Sequence, residues 1–567
     1  MRLVIREYLQ LLKESGELDE LLPELLLKMG YVPTSKAQKG VRQGGVDVAV
    51  VGKDKSGSEC LLLFVIKCGN ITRSGWDSGE NSVRQSLNEV RDVYLQTKVL
   101  PAHKGLHKKI ILCTNGDLVQ AVDPQWHGYV EKNTVEGELE FEFWGIDTLT
   151  KLVEKHLLDE AALSEENRSD FRKALALIGE PEYDLTHYYR LLQKTLFYDN
   201  TGLSEARDFK EFKLAILTCN LLLNIMFYWA QSEDNLRHVL PASERTMLLG
   251  WELVRSKRYA ENRKAMEVYA NLVGTYAKIS AAYYQKMQGH YHTRDALSLH
   301  ASEHILISES VFEQIGIVAL IGLFHINNEN IQTISEGLVN IINNNPSSSA
   351  PCYDRHSIEI NLALLLLFYT GRIQDAKNWL GNLCGSFLFC IQRGRYFPIG
   401  NDSFDDAVKL STTNWHGPLV DEAKSISTLL AIYAQWCCIF GLKDKYDLMR
   451  KCQQELPNTA VQLWFPDKDT EDKIFTGHAQ ETGTTLVPII LPETMDEFKQ
   501  EVRELDDVDF ILKHHDFDTA KHGYWAILLT ASRHYKTPII PSIWQDFMNI
   551  DVDSLGIKVI KPKADQD

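Results

Sequence analysis

The sequence predicts an α/β domain at its amino end, a mixed sheet flanked by helices, followed by a large, mostly α-helical region. Three observations carry this. Two apolar runs with strand character, 46–51 and 60–67, flank a polar turn, and a helix-like segment follows them. From Leu163 to about Leu456, apolar residues recur at helical spacing between short polar breaks. The chain has 567 residues, enough for two to four domains. The expected divisions are 1–160 for the α/β domain, 161–345 for a first helical domain and 346–567 for a second. The second helical domain holds an irregular, strand-containing segment near 456–492, rich in Pro, Gly and Thr.

Hydrophobic residues make up 44% and charged residues 24% of the chain, as in a globular protein. The net charge of −17 argues against a chain coated in nucleic acid. The charge is uneven, however. Residues 28–109 hold 14 Lys and Arg against 7 Asp and Glu, whereas 159–567 hold 40 against 55. A local positive field suits a phosphate-bearing ligand. The ten cysteines include no CxxC pair and no zinc-ligand spacing, and several lie in apolar runs. Buried, reduced thiols and a cytoplasmic location follow as expectations. The chain opens directly into charge, which predicts no secretion signal. Its longest apolar run, Val311–Ile326, is interrupted by Glu313 and Gln314 and reads as a core helix, so no membrane partner is expected.

Residues 3–30 carry two helical stripes, and Gly30 and Pro33 end the second. A basic loop, 35–45, leads to the strand Val46–Val51. Residues 53–59, KDKSGSE, form the turn, and Cys60–Lys67 return as a nearly all-apolar, central strand. With the hairpin centred near Gly57, Asp47 lies opposite Lys67, and Val65 shares their face. A helix over about 80–95 presents Val83, Leu87, Val90 and Tyr94 to the sheet. Lys109–Thr114 forms a further strand. Alternation of Leu139, Phe141 and Phe143 with Glu138, Glu140 and Glu142 predicts a half-buried strand near an edge. Asp147 is placed to N-cap the helix that closes the domain.

In the helical region no strict repeat period emerges. Residues 361–383 form a helical hairpin turning at Thr370-Gly371. The segment 343–351, NNNPSSSAP, reads as a flexible loop dividing the region.

Chemistry concentrates between Gly44 and Leu95. Phosphodiester hydrolysis needs a metal to polarise phosphate and activate water. Mg²⁺ takes carboxylate and carbonyl oxygens, and an adjacent Lys steadies developing charge. An Asp on one strand facing a Lys on its neighbour supplies the start of such a site.

Here the stretch resembles the PD-(D/E)xK nucleases, most closely the Mrr-type restriction endonucleases, over about residues 1–158. The matching features are Gly30-Tyr31, GGVD at 44–47, VIK at 65–67 and the following helix with Gln85. The resemblance implies a restriction-endonuclease-like fold and a Mg²⁺- or Mn²⁺-dependent endonuclease acting on DNA. It implies Asp47 as metal ligand, Lys67 as catalytic assistant and the backbone carbonyl of Ile66 as a further ligand.

The sequence departs from that family at Val65, where the family places Glu, Asp or Gln. Glu59 faces the right side but lies about 27 Å along the strand from Lys67, too far to share a metal. Glu80 starts the following helix close to its apolar stripe and resembles the migrated acid of some restriction enzymes. It is therefore the expected third site residue, as catalytic group and metal ligand, against its reading as a helix-start charge. Gln85 turns away from the sheet by the same rotation. The histidines of GHYH at 289–292 and of KHHDFD at 513–518 have no partner ligands at metal spacing.

Two readings follow. In one, Asp47, Lys67 and Glu80 form the site of an active deoxyribonuclease, and the acidic helical region recognises a target, a partner protein or a second copy, an architecture resembling bacterial restriction and anti-phage defence effectors. In the other, the nuclease fold is catalytically degenerate and serves as a DNA-binding or protein-interaction scaffold.

Overall fold

A computed structural model describes residues 5–6, 9–10, 12–35, 44–53, 57–78, 82–157, 165–197, 209–298, 303–412, 418–506 and 511–550. The chain divides into two compact units. One comprises residues 1–203 and 217–235, the other residues 204–216 and 236–567.

The first unit is built on a five-stranded mixed sheet in the order β1 to β5: β1 (Val32–Ser35), β2 (Val48–Lys53), β3 (Glu59–Lys67), β4 (His107–Thr114) and β5 (Leu139–Trp144). β1, β2 and β3 pair antiparallel, while β3, β4 and β5 run parallel. The central strand β3 is buried from Cys60 to Ile66 because helices cover both sheet faces. On one face lie α2 (Val83–Glu89), extended by a π-turn over Val90–Tyr94, and α3 (Asp123–Asn133). Val83, Leu87, Val90 and Tyr94 pack there with Val46, Ala49, Leu61, Leu63 and Val65. α1 (Asp19–Lys28) and α4 (Ile146–His156) contribute the buried Leu22, Leu25, Leu26, Ile146, Leu149 and Val153. The rings of Phe64 and Trp144 meet edge to face, centroids 5.1 Å apart.

Several sequence expectations change in detail. The loop expected from residue 35 is preceded by strand β1, whose Pro33 is tolerated because β1 is an edge strand. α3 carries too sparse an apolar stripe, Trp126 and Tyr129, to be read from periodicity. Asp147 does not cap α4. The N-cap is Gly145, and Asp147 lies in the first turn, paired with Arg6. β5 is an edge strand with alternating burial, as its sequence predicts.

The same unit continues past the expected boundary at 160 with α5 (Glu165–Leu177), α6 (Thr186–Leu196) and most of α7 (Phe209–Ser232). α5 and α6 are joined through Asp170, buried and paired with Arg190 at 3.2 Å and His187 at 3.4 Å.

The second unit is helical. Its helices include α8 (Val239–Ser256), α9 (Arg263–Tyr291), α10 (His304–Phe324), α11 (Ile331–Asn344), α12 (Ser357–Tyr369), α13 (Ile373–Arg393), α14 (Thr428–Phe440), α15 (Lys443–Gln454) and, after short strands, α16 (Ala526–Tyr535). α10 is long and apolar enough to cross a membrane, yet 67% of that stretch is buried inside the fold. α12 and α13 form the expected hairpin around Thr370-Gly371. Residues 343–351 are not a flexible divider. Pro346–Ser349 make a 3₁₀ turn, Ser348 Oγ donates to Ile342 O at 2.9 Å, and Trp379 Nε1 donates to Ser348 O at 3.0 Å. The chain on either side of residue 345 lies in one unit.

Two buried polar devices hold this unit together. Asp354 caps α14 from a distance, accepting from the N–H groups of Thr428 at 2.8 Å and Leu429 at 3.0 Å. Glu244 on α8 binds Arg533 at 2.5 Å and His534 at 3.1 Å on α16, all buried. The segment 456–492 contains the expected short strands, including Leu463–Phe465 paired with Thr484–Leu486.

Candidate active site

β3, β4 and β5 end at one edge of the sheet, and antiparallel β2 begins there. In open α/β sheets this carboxyl edge is where ligands bind, because loops rather than packed strands meet there. Asp47 immediately precedes β2, and Lys67 is the last residue of β3.

The turn before Asp47 is built from Gly44 and Gly45, with φ of +72° and +82°. A Cβ on Gly45 would lie 2.3 Å from the Ser86 carbonyl oxygen, so α2 rests directly on this turn. The β2–β3 register runs from Lys53↔Glu59 to Val48↔Phe64. The hairpin is therefore centred at residue 56, one position before Gly57. Continued by one residue, the register sets Asp47 opposite Val65 rather than Lys67. A two-residue shift of partner preserves the face, so Asp47 and Lys67 remain neighbours.

Asp47 N–H donates to Phe64 O at 2.9 Å, and Ile66 N–H donates to Asp47 Oδ2 at 2.7 Å. The carboxylate thus extends the ladder beyond the last paired residue. Burial pushes the Asp47 carboxyl from its ordinary 3.8 up to about 6. The Ile66 N–H and the Lys67 charge pull it down, while Glu14 and Asp19 push it up. Lys67 and the acids of the amino-terminal helical segment are therefore the charges that act on Asp47.

Glu14 was not singled out by the sequence. It is exposed, starts the π-helical turn Glu14–Leu18, and is remote from Asp47 along the chain. Hydrogen bonds bring its segment to the sheet edge. Asn115, at the end of β4, donates to Leu9 O at 2.8 Å and Leu12 O at 2.7 Å, and accepts from Gly69 N–H at 2.7 Å. Cys68 Sγ donates to Leu12 O at 3.3 Å. Thr114 Oγ1 donates to Gly69 O at 2.7 Å, and a Cβ on Gly116 would lie 2.3 Å from the Gly69 carbonyl carbon. The loops after β3 and β4 are thereby locked together beside Lys67. No motif spacing announces Thr114-Asn115-Gly116 as such a lock.

The other site residues divide. Ile66 is adjacent to Asp47 through its N–H. Val65 is fully buried in the apolar layer with Val83, Leu87 and Val90, so its place is occupied by core packing. Glu59 begins β3 at the opposite end, paired with Lys53. Gln85 is exposed on α2. Glu80 lies outside the described residues. His514 is tied to Ser542 Oγ at 3.1 Å in a short turn.

A hard divalent cation requires several oxygen ligands. The donor set on hand is the Asp47 carboxylate, with one oxygen engaged by Ile66, and the Ile66 carbonyl. Among the described residues, no group of three or more His, Cys, Asp or Glu side chains could hold a metal ion. One carboxylate and one backbone carbonyl are fewer oxygen donors than such a cation takes.

The described basic residues are shared between both ends of the sheet. Lys67 and Arg73 belong to the carboxyl edge. His107 and Lys109 begin β4 at the other end and pair with Glu140 at 3.4 and 3.2 Å. That pairing holds the Glu140 carboxyl below its ordinary range. All ten cysteines are free and nine are buried.

Comparisons with protein-family models, with curated proteins and with solved structures return no match.

Proposed function

We propose that the first unit is a divalent-metal-dependent endonuclease that hydrolyses DNA phosphodiester bonds, on a restriction-endonuclease-like fold. The observation that supports this most is the state of Asp47. A half-buried carboxyl raised to about 6, held by the Ile66 N–H beside Lys67, gains most from a cation at the sheet's carboxyl edge. Asp47, the Ile66 carbonyl and a carboxylate from Glu80 or Glu14 would hold the metal. Mg²⁺ or Mn²⁺ would supply Lewis acidity toward the phosphate and a more acidic water. Lys67 would orient the nucleophile and counter charge on the phosphate, fixed in place by the locked loops after β3 and β4. The acidic second unit would serve recognition, partner binding or self-association, as in bacterial defence effectors of similar architecture.

Val65 supports a second reading. Its apolar side chain fills the core where the family's acid would stand, as in a fold kept for binding DNA or a partner without cutting. Supercoiled plasmid incubated with the full chain and Mg²⁺ or Mn²⁺ separates the two. Nicking by the wild type, with loss of nicking but retained DNA binding in Asp47→Asn, supports the nuclease. DNA bound and never cut by the wild type supports the scaffold.

A further inference from the structure

In the second unit, the end of α8 meets two short helices, Glu471–Ile474 and Asp518–Lys521, at a seam of charged side chains. Arg255 stands at its centre. Its Nε and one terminal nitrogen hold Glu252 of the same helix at 3.1 and 2.9 Å, and the other terminal nitrogen binds Asp472 across the seam at 2.6 Å. The guanidinium fork is thus engaged by these two acids. Glu471, next in the chain to Asp472, accepts the Asp518 N–H at 2.7 Å and so ties the two short helices to each other. The nearest cation on that side, Lys521, pairs with Asp518 at 3.5 Å. His522 lies 3.3 Å from Glu261, and Tyr535 of α16 faces Glu252 while donating to Phe475 O at 2.8 Å. Glu252 is buried and Glu471 half-buried, whereas Asp472 is exposed. Glu471 is therefore a half-buried acid flanked by Asp472 and Asp518, with the seam's two cations in contact with other acids.

We propose that this seam is a proton-operated clasp: with a proton on Glu471 it holds the two short helices against α8, and with Glu471 ionised beside Asp472, Asp518 and Glu252 it loosens. The protonated carboxyl keeps an oxygen to accept the Asp518 N–H, so closing the clasp costs no hydrogen bond. Ionisation adds a further negative charge where Arg255 and Lys521 are already in contact with acids, in a place that water reaches only in part. Burial, with Asp518, pushes the Glu471 carboxyl from its ordinary 4.5 up to about 7, against the Asp518 N–H, Arg255 and Lys521, which pull it down. Burial also raises Glu252 to about 7, against Arg255 and helped by Asp472 and Glu471. As pH rises from about 4.5, the open seam releases the Glu471 proton first, and the closed seam holds it until about 7. Closure is therefore weakened across that window and stays weak above it. For one such group, the equilibrium between closed and open seam falls about tenfold between pH 6 and pH 8.

The test is independent of any cleavage activity. Hydrogen exchange of the full chain is followed by mass spectrometry at pH 6 and pH 8, corrected for the intrinsic exchange rate, over residues 467–483 and 518–524. The wild type is expected to lose about tenfold in protection at pH 8, while α12 keeps its protection at both values. Glu471→Gln, which has the shape of the protonated acid, should hold at pH 8 the protection that the wild type shows at pH 6. Asp518→Asn removes the neighbouring charge that raises Glu471 and should move the loss to lower pH, which provides a second variant. Unchanged protection of α12 in each variant shows that the unit remains folded. The proposal is overturned if the wild type is equally protected at both pH values, or if its pH dependence survives Glu471→Gln. It is also overturned if His522→Asn abolishes the dependence while Glu471→Gln leaves it in place, because the histidine is then the group that titrates.

Discussion

Replacing Asp47 by Asn is expected to stabilise the first unit while abolishing its proposed activity. The folded carboxyl titrates near 6 against an ordinary 3.8. As pH rises from about 4, the unfolded chain releases this proton first, and the folded chain holds it until about 6. Stability is therefore lost across that window and stays lost above it, because folding then places an ionised carboxylate in a half-buried position. At 1.36 kcal/mol per pH unit, the full cost is about 3 kcal/mol. Asn retains an oxygen to accept the Ile66 N–H and carries no charge. Native-state hydrogen exchange of residues 44–67 in the full chain reads the difference. Asp47→Asn should protect this segment by up to about 3 kcal/mol at pH 7.5 and by close to nothing at pH 4. Mg²⁺ should add protection to the wild type alone. A variant less stable than the wild type, or a difference independent of pH, would refute the reasoning.

The remaining predictions concern the acids around the site and the buried polar groups. Glu14→Gln should weaken Mn²⁺ binding, measured by calorimetry, about tenfold and lower the Asp47 pKa, since Glu14 raises it. If only Glu80→Gln weakens binding, the second carboxylate comes from residue 80 and Glu14 plays no part. Val65→Asp, which places an acid where the nucleases that the sequence resembles carry one, should instead lower the thermal midpoint, with a cost of about 3–5 kcal/mol, because the position is fully buried among apolar side chains. A folded Val65→Asp protein that cuts DNA faster would show the core argument to be wrong. Arg533→Ala should destabilise the second unit by about 3–5 kcal/mol by leaving Glu244 buried beside His534 alone. Adding Glu244→Gln should recover part of that loss in a denaturant titration, and no recovery would count against an electrostatic origin.

Much of the first unit was legible because its core obeys simple periodicities. The continuous apolar run of β3 marked a strand covered on both faces, and the spacing of Val83, Leu87, Val90 and Tyr94 identified the face α2 buries. The hairpin register was displaced by one position at its centre because KDKSGSE offers several turn placements of equal propensity. Asp47 and Lys67 survived that error, since parity fixes the face whatever the partner. Glu14 and Asn115 could not be read in the same way. Their roles depend on contacts between segments distant in sequence, which local patterns do not encode. The segment 343–351 misled for a related reason. Its Asn, Pro and Ser residues signal a turn, and only the Trp379 and Ser348 hydrogen bonds make that turn a packed one.

The rate of metal-dependent nicking of supercoiled plasmid by the full chain, compared between wild type and Lys67→Ala, tests the central claim most directly. A wild-type protein that nicks only with Mg²⁺ or Mn²⁺ present, and a Lys67→Ala variant slower by about 100-fold or more with its fold intact, is the predicted result. Equal rates in the two proteins, or no nicking by the wild type with either metal, would contradict it.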